Sequence, residues 1–293
     1  MKKILLLLVL LGNLTAKSQT KTDNIPFILT ESGHIIIQAT VDGVEGKFIF
    51  DTGAGHNLLF RKFTEKLKPK KSTNFFVAHR ATGEAHTVPI NYSEDLIVGN
   101  RHFKNQLYST FDLDFGDIDG LISLQPFQNM PVTIDYEKKI LSFDELNPVD
   151  KKKYIDIQIA NYADKALDIF TNIKLNNKIN IQVLLAAGAG KNSFWVNAKF
   201  MEILQLDSSQ FEVHDKKSEF DSTKSNKFLI GTIQSIKTEN DLAEVVDPKT
   251  YFVEGLIYEG KTGIEWLGKK ISISLPEKKI FIIKNYIHYS NLK

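Results

Sequence analysis

Asp51 is the residue in this chain with the clearest means to do chemistry. Phe48-Ile49-Phe50 delivers it, Thr52-Gly53-Ala54-Gly55 follows, and a second apolar run, Leu58-Leu59-Phe60, comes after. A carboxylate placed straight after a β-forming apolar run costs several kcal/mol to bury unless it is hydrogen-bonded or put to use. Gly53 and Gly55 let the backbone turn tightly and offer N–H groups to that carboxylate. The same shape returns at residues 183–195, where Val183-Leu184-Leu185 leads into Ala186-Ala187-Gly188-Ala189-Gly190 and then Phe194-Trp195. In this second loop Ala stands at both the carboxylate and the hydroxyl position. A carboxylate in such a turn is a general base for water, whereas Ala at its twin holds neither a proton nor a water.

Other motifs lead nowhere comparable. Gly188-Ala189-Gly190-Lys191-Asn192-Ser193 has the outline of a phosphate loop, but it lacks the leading Gly and puts Asn192 where Ser or Thr must ligate magnesium. His79 and His86 flank a turn with no third ligand nearby, which argues against zinc; neither a metal nor a cofactor is implied. Ser193 has no Gly-x-Ser-x-Gly context and no assignable base. The remaining His residues default to surface or core, and Phe194-Trp195 to core packing. With no Cys, the chain has no disulfide, no thiolate catalysis, no Cys-based metal site and no lipid-acceptor Cys. The formal net charge of +2 and charges of mixed sign leave no basic face to mark a nucleic-acid partner.

The positioning elements read as strands. A chain of 293 residues that is 42% hydrophobic, with nine Tyr and twenty Phe, can build one large β domain or two ordinary ones. Met1-Lys2-Lys3, the apolar run from Ile4 to Leu11 and the small-x-small site Ala16-Lys17-Ser18 read as a signal peptide over residues 1–18. Its removal takes Lys2, Lys3 and Lys17 and shifts the net charge from +2 to about −1. With the Lys/Asn/Ile-rich composition this points to a bacterial export product, periplasmic or secreted, with no stable membrane anchor after cleavage. Further on, Ile35 to Val41 and Lys47 to Phe50 flank the hairpin signal Asp42-Gly43. Pro26 keeps the first apolar residues at a sheet edge. Residues 75–78 and 86–90 flank Thr82-Gly83-Glu84 as a Gly-tipped hairpin, and Arg61 to Leu67 reads as one short helix.

The second part repeats this plan. Ile169 to Leu185 is a hairpin with Asn176-Asn177 where Asp42-Gly43 stood, and Ala198 to Leu206 repeats the helix. Closing segments share Glu137-Lys138-Lys139-Ile140 and Glu277-Lys278-Lys279-Ile280. From Asp51 to Ile140 is 89 positions and from Ala186 to Ile280 is 94, so the two motifs recur in order at nearly equal spacing, the mark of an internal duplication. Residues 25–146 and 154–285 are then two lobes joined by a charged linker, 147–153.

On these residues the chain resembles the retropepsin-like aspartic proteases, over roughly residues 30–285. The resemblance implies an all-β, two-lobed, pepsin/retropepsin-like fold with a pseudo-twofold axis and a cleft between lobes. It implies that Asp51 is a catalytic aspartate, that the Thr52 hydroxyl ties the loops together beneath the site, and that Gly53 and Ala54 complete the turn. It makes the hairpin around Thr82, Gly83 and Glu84 the flap that closes over a polypeptide substrate or peptide ligand. Such proteases work with two carboxylates about 3 Å apart that share one proton, one from each half.

The departures decide the functional expectation. Ala186, Ala187 and Gly188 form a degenerate second loop, so the chain reads as a peptidase impaired or inactive as written, or as a non-catalytic peptide-binding pseudoprotease of the cell envelope. The Ala pair is a natural loss, an engineered change, or a sign that two chains pair their N-terminal halves; a covalently tethered second lobe at high effective concentration opposes the last and points to a monomer. Ser123 stands where a second Gly after Gly120 is usual. In the second half Gly263 aligns with Gly120, which puts Trp266 at the Ser123 position.

Overall fold

The hairpin signals set the first step of folding in both halves. In the computed structural model, which describes residues 23–284 apart from 69, 144–150, 219–220 and 222, strands Ile35–Val41 and Val44–Phe50 pair with Val41 opposite Val44. Asp42 (φ 49°) and Gly43 (φ 84°) between them form the mirror-image turn whose twist suits a two-residue hairpin. Leu167–Leu175 and Ile179–Leu185 repeat the hairpin, with Asn176 (φ 50°) and Asn177 (φ 53°) also left-handed, a region Asn tolerates. The signal segment 1–18 and residues 147–150 of the linker lie outside the described residues.

Each hairpin then builds the same crossed loop. Strand Gly120–Ile122 lies between Val44–Phe50 and Asn57–Phe60, parallel to the first and antiparallel to the second. Gly260–Thr262 lies likewise between Ile179–Leu185 and Phe194–Asn197. Phe48 faces Gly120 across the first pairing and Val183 faces Gly260 across the second. The counterpart of Gly120 is therefore Gly260, and Gly263 falls at the Ser123 position; matching Gly263 to Gly120 put the second half three residues out of register. Close packing explains the glycine at both places. A Cβ on Gly120 would lie 2.2 Å from the Leu58 carbonyl oxygen, and one on Gly260 would lie 2.9 Å from that of Trp195.

Around each crossed loop the remaining strands form a barrel-like sheet. The N-terminal sheet runs in the order 28–29, 35–41, 44–50, 120–122, 57–60, 101–111, 85–98, 70–79, and a further pairing between 35–41 and 85–98 folds it back on itself. A ten-stranded sheet occupies the C-terminal half. The helices are single turns, Arg61–Thr64 and Phe200–Ile203, at matching places.

The third sheet belongs to both halves. It has six strands in the order 24–26, 140–142, 132–135, 270–274, 279–284, 154–156, so each half supplies three, and Ile134 faces Ile271 across the central pair. Pro26 sits on an edge strand, where its missing N–H costs no ladder bond. Phe48, Phe50, Ile134, Val183, Phe252 and Ile271 belong to one continuous buried cluster. The lobes thus share a core, and unfolding is expected as one calorimetric transition. Ile271→Ala, at a fully buried position of the shared sheet, is expected to lower stability by about 2–5 kcal/mol and to move that single transition without splitting it.

Candidate active site

The two loops meet back to back. The Thr52 hydroxyl, fully buried, donates to the Leu185 carbonyl oxygen at 2.7 Å and accepts from the Ala187 N–H at 2.9 Å. Ala187 has no hydroxyl to return these bonds, so the tie runs one way. Asp51 is buried, and its Oδ1 accepts from Gly53 N–H in its own loop and from Gly188 N–H in the other, both at 2.8 Å. Its Oδ2 accepts no hydrogen bond from the described residues and is the oxygen left to bind a water or a substrate group. Both glycines are needed for the approach. A Cβ on Gly188 would lie 2.4 Å from Asp51 Oδ2, and one on Gly53 would lie 2.4 Å from the Ala186 Cβ. Ala186 is buried against Gly53, where a twofold-related carboxylate would find the same pair of N–H donors. Ala54 closes the turn, its N–H donating to the Asp51 carbonyl at 3.4 Å.

The Gly-tipped hairpin reaches over to the other lobe. It is built from strands Lys70–His79 and Ala85–Val98, and Gly83 (φ 90°) closes its tip by donating its N–H to the Arg80 carbonyl at 2.9 Å. Ile257 N–H donates to the Ala81 carbonyl at 2.9 Å, and Arg80 Nη1 donates to the Ser218 hydroxyl at 2.8 Å. Ala81 packs on Phe228, Val253 and Leu256 of the C-terminal half. Glu84 is buried in the tip and accepts from the Thr82 hydroxyl at 3.1 Å and Arg80 at 3.3 Å. The Ser218 hydroxyl, then that of Thr82, holds its carboxyl below the usual range against the effect of burial.

Several charged groups near the loops carried no sequence signal. Asp168 is the second residue of strand 167–175 and is buried; the Leu167 N–H beside it donates to the Gly55 carbonyl at 2.7 Å. Burial first, and then the charge of Asp51, pushes the Asp168 carboxyl up to about 6, while a bond from the Tyr162 hydroxyl opposes the shift. Glu265 lies under the second loop, accepts from Asn192 N–H at 2.6 Å, and is pushed up by burial to about 7. Lys261, on the middle strand of the second crossed loop, lays its ammonium 4.8 Å from the centre of the Trp195 ring. Burial lowers its pKa and the Asp51 charge opposes that. Asp168 lies far along the chain from Lys261 and Glu265, and only the fold brings it beside the loops. Trp195, expected in the core, is only partly buried and belongs to the patch that receives the flap tip.

Three further residues take supporting places. His56 is buried with Nε2 2.8 Å from the Ser109 hydroxyl oxygen, and burial lowers its pKa to about 4, so it is a neutral core histidine above that pH. Ser123 fits in place of a glycine because its N–H and hydroxyl both donate to Asn57 Oδ1, at 3.0 and 3.2 Å. Trp266 donates from its indole to the Gly263 carbonyl at 3.0 Å and is core. A groove of about 760 Å³ on the N-terminal lobe, lined by Ile25, Phe27, Ile36 and Ala39 among others, contains none of the loop residues.

Two predictions follow from this geometry. Thr52→Val strands two buried backbone groups and is expected to cost about 2–4 kcal/mol by urea unfolding, with Thr52→Ser close to the parent. Asp168 binds its proton more tightly folded than unfolded, so its contribution to stability falls as pH rises from about 4 to about 6. The stability of the parent relative to Asp168→Asn is therefore expected to drop by about 2 kcal/mol between pH 4 and pH 7; a flat difference in urea midpoints would show Asp168 to be unperturbed.

Comparison with known proteins bears on the same part of the chain. Residues 37–125 match the aspartyl protease family, a span that holds the Asp51 loop, the hairpin with Gly83 at its tip and the crossing strand at 120–122. No curated protein matches. Among solved structures, the chain is similar to a retropepsin-like aspartic protease from Rickettsia conorii, at 22% identity over 42% of this chain and 92% of that one, with a TM-score of 0.33. The N-terminal lobe carries the aspartyl protease sequence pattern over residues 37–125, and the described residues form a nearly all-β, two-lobed fold.

Proposed function

We propose that this protein is an exported, monomeric member of the aspartic peptidase type that holds an extended polypeptide between Asp51 and the flap, with hydrolysis impaired because Ala186 replaces the second carboxylate. One observation carries the reading: a single Asp51 oxygen takes both glycine N–H groups that a symmetric pair would share. In the two-carboxylate mechanism one group removes a proton from water as it attacks the peptide carbonyl, and the other donates to the carbonyl oxygen. Asp51 alone supplies the first step and leaves the developing oxyanion without its acid. The monomer is supported by the loop contact itself, since the face of the Asp51 loop that a second copy would need is occupied by residues 185–188 of the same chain.

The competing reading, a non-catalytic peptide-binding pseudoprotease, draws on the same cleft. Ala186 and Ala187 are buried, and the flap tip bonds to the opposite lobe, so the cleft keeps its walls without a dyad. Main-chain hydrogen bonds to an extended peptide then give affinity without cleavage. With Ala186 in place a statine-type hydroxyl finds one carboxylate in either reading, so the two are separated by whether restoring the second carboxylate restores cleavage.

The decisive measurement is digestion of an unfolded protein between about pH 3 and pH 7. The parent is expected to be inactive, and Ala186→Asp combined with Ala187→Thr to cut at least about a hundred-fold faster, an effect that Asp51→Asn removes. Cleavage by the purified parent that Asp51→Asn abolishes would overturn the claim of impairment. Failure of every variant to cut would leave the pseudoprotease reading.

A further inference from the structure

The pseudo-twofold places the same three positions on the cleft side of each crossed loop, and the two sets differ in charge. In the N-terminal half the middle strand puts Leu121 beside Ile49 and Leu58. In the C-terminal half the register puts Lys261 beside Leu184 and Trp195. Leu121, Ile49 and Leu58 are partly buried, as are Lys261 and Trp195, whereas the residues to either side of the two middle positions, Gly120, Ile122, Gly260 and Thr262, point inward and are buried. An all-apolar floor on one side of Asp51 is thus matched by a cationic one on the other.

The Lys261 ammonium is bounded on each side. It lies 4.8 Å over the Trp195 ring, and Trp195 belongs to the patch on which the flap residue Ala81 rests. Asp51 attracts it from the floor, and Arg80 of the flap and Lys216 of the facing hairpin repel it. Among the described residues it has no carboxylate within ion-pair distance, its ring contact being the one direct partner. A partly buried ammonium whose one direct protein partner is an aromatic face lacks the counter-ion that burial of charge normally brings. The missing counter-charge is a natural recognition element.

We infer that Lys261 makes the C-terminal side of the cleft a subsite for a carboxylate, so that the bound polypeptide carries an acidic residue there, next to Asp51. This inference rests on the polypeptide-cleft reading and adds substrate class to it. Two sources supply the same chemistry: an acidic side chain within the peptide, or the peptide's own C-terminus.

The test uses the full-length parent and fluorescently labelled octapeptides, acetylated and amidated, identical except for Glu, Gln, Leu or Lys at each position in turn. One further arm is the Gln peptide with a free C-terminal carboxylate. At one position Glu is expected to bind about ten-fold more tightly than Gln, read by anisotropy. Lys261→Met is expected to erase that difference, Lys261→Arg to keep it, and Lys261→Glu to turn the preference toward Lys. A gain confined to the free-carboxylate peptide assigns the subsite to the chain end. A parent that binds Glu and Gln peptides equally, or a Glu preference that survives Lys261→Met, overturns the inference. The Ala186→Asp, Ala187→Thr variant keeps the two readings apart: if it cuts the set without regard to Glu, the carboxylate subsite falls and the peptidase cleft stands. If no variant binds or cuts any peptide, both fall.

Discussion

The structure turns on one hydroxyl. Thr52 reaches from its own loop into the other half, donating to a carbonyl and accepting an N–H, and this holds the two crossed loops in contact beneath the cleft. Everything above depends on that contact. Gly188 can lend its N–H to Asp51 because the loops are close enough for a side chain at either glycine to be excluded. A buried tie of this sort is strong because breaking it leaves two backbone groups unsatisfied in a place water does not reach. In a symmetric arrangement two hydroxyls would share the task; here Ala187 leaves it to one.

Ala186, at the position related to Asp51, also sets the electrostatics of the floor. Two carboxylates in contact repel, and a shared proton relieves them. With Ala186 in place that constraint is gone, and Asp51 faces a different set of charges: Asp168 on one side, Lys261 on the other. Asp168 and Glu265 are both raised by burial, so the surroundings of the two loops carry protonatable groups besides Asp51 in the weakly acidic range.

The flap and the shared sheet constrain the cleft from opposite ends. Below, three strands from each half pair into one sheet, which fixes the lobes relative to each other. Above, the tip at residues 80–84 bonds to Ile257 and Ser218 and packs on the C-terminal lobe. Opening the tip breaks only these few contacts. The six-stranded sheet stays as it is. Motion is therefore expected to concentrate in the hairpin, whose outer strand exposes Phe75 and Val77.

Local signals in the chain were sufficient for a large part of this. Asp42-Gly43 and Asn176-Asn177 announce turns because only a few residue types accept a left-handed backbone, and Asp51 after Phe48-Ile49-Phe50 announces a site because an idle carboxylate there would be costly. The duplication, and with it the two-lobed plan, follows from motifs repeated in order. The register of the second half did not: Gly263 seemed the twin of Gly120, and only strand pairing, with Gly260 packed under the Trp195 carbonyl, decided otherwise. Nor did the sequence single out Asp168, Lys261 or Glu265, since a charged residue on an alternating strand looks the same whether it faces solvent or a cleft. Their burial and their neighbours are properties of surfaces brought together from distant parts of the chain, which no local pattern encodes. The sequence by itself determined that one loop bears the carboxylate and the other an Ala; the tertiary structure decided what charges that carboxylate faces.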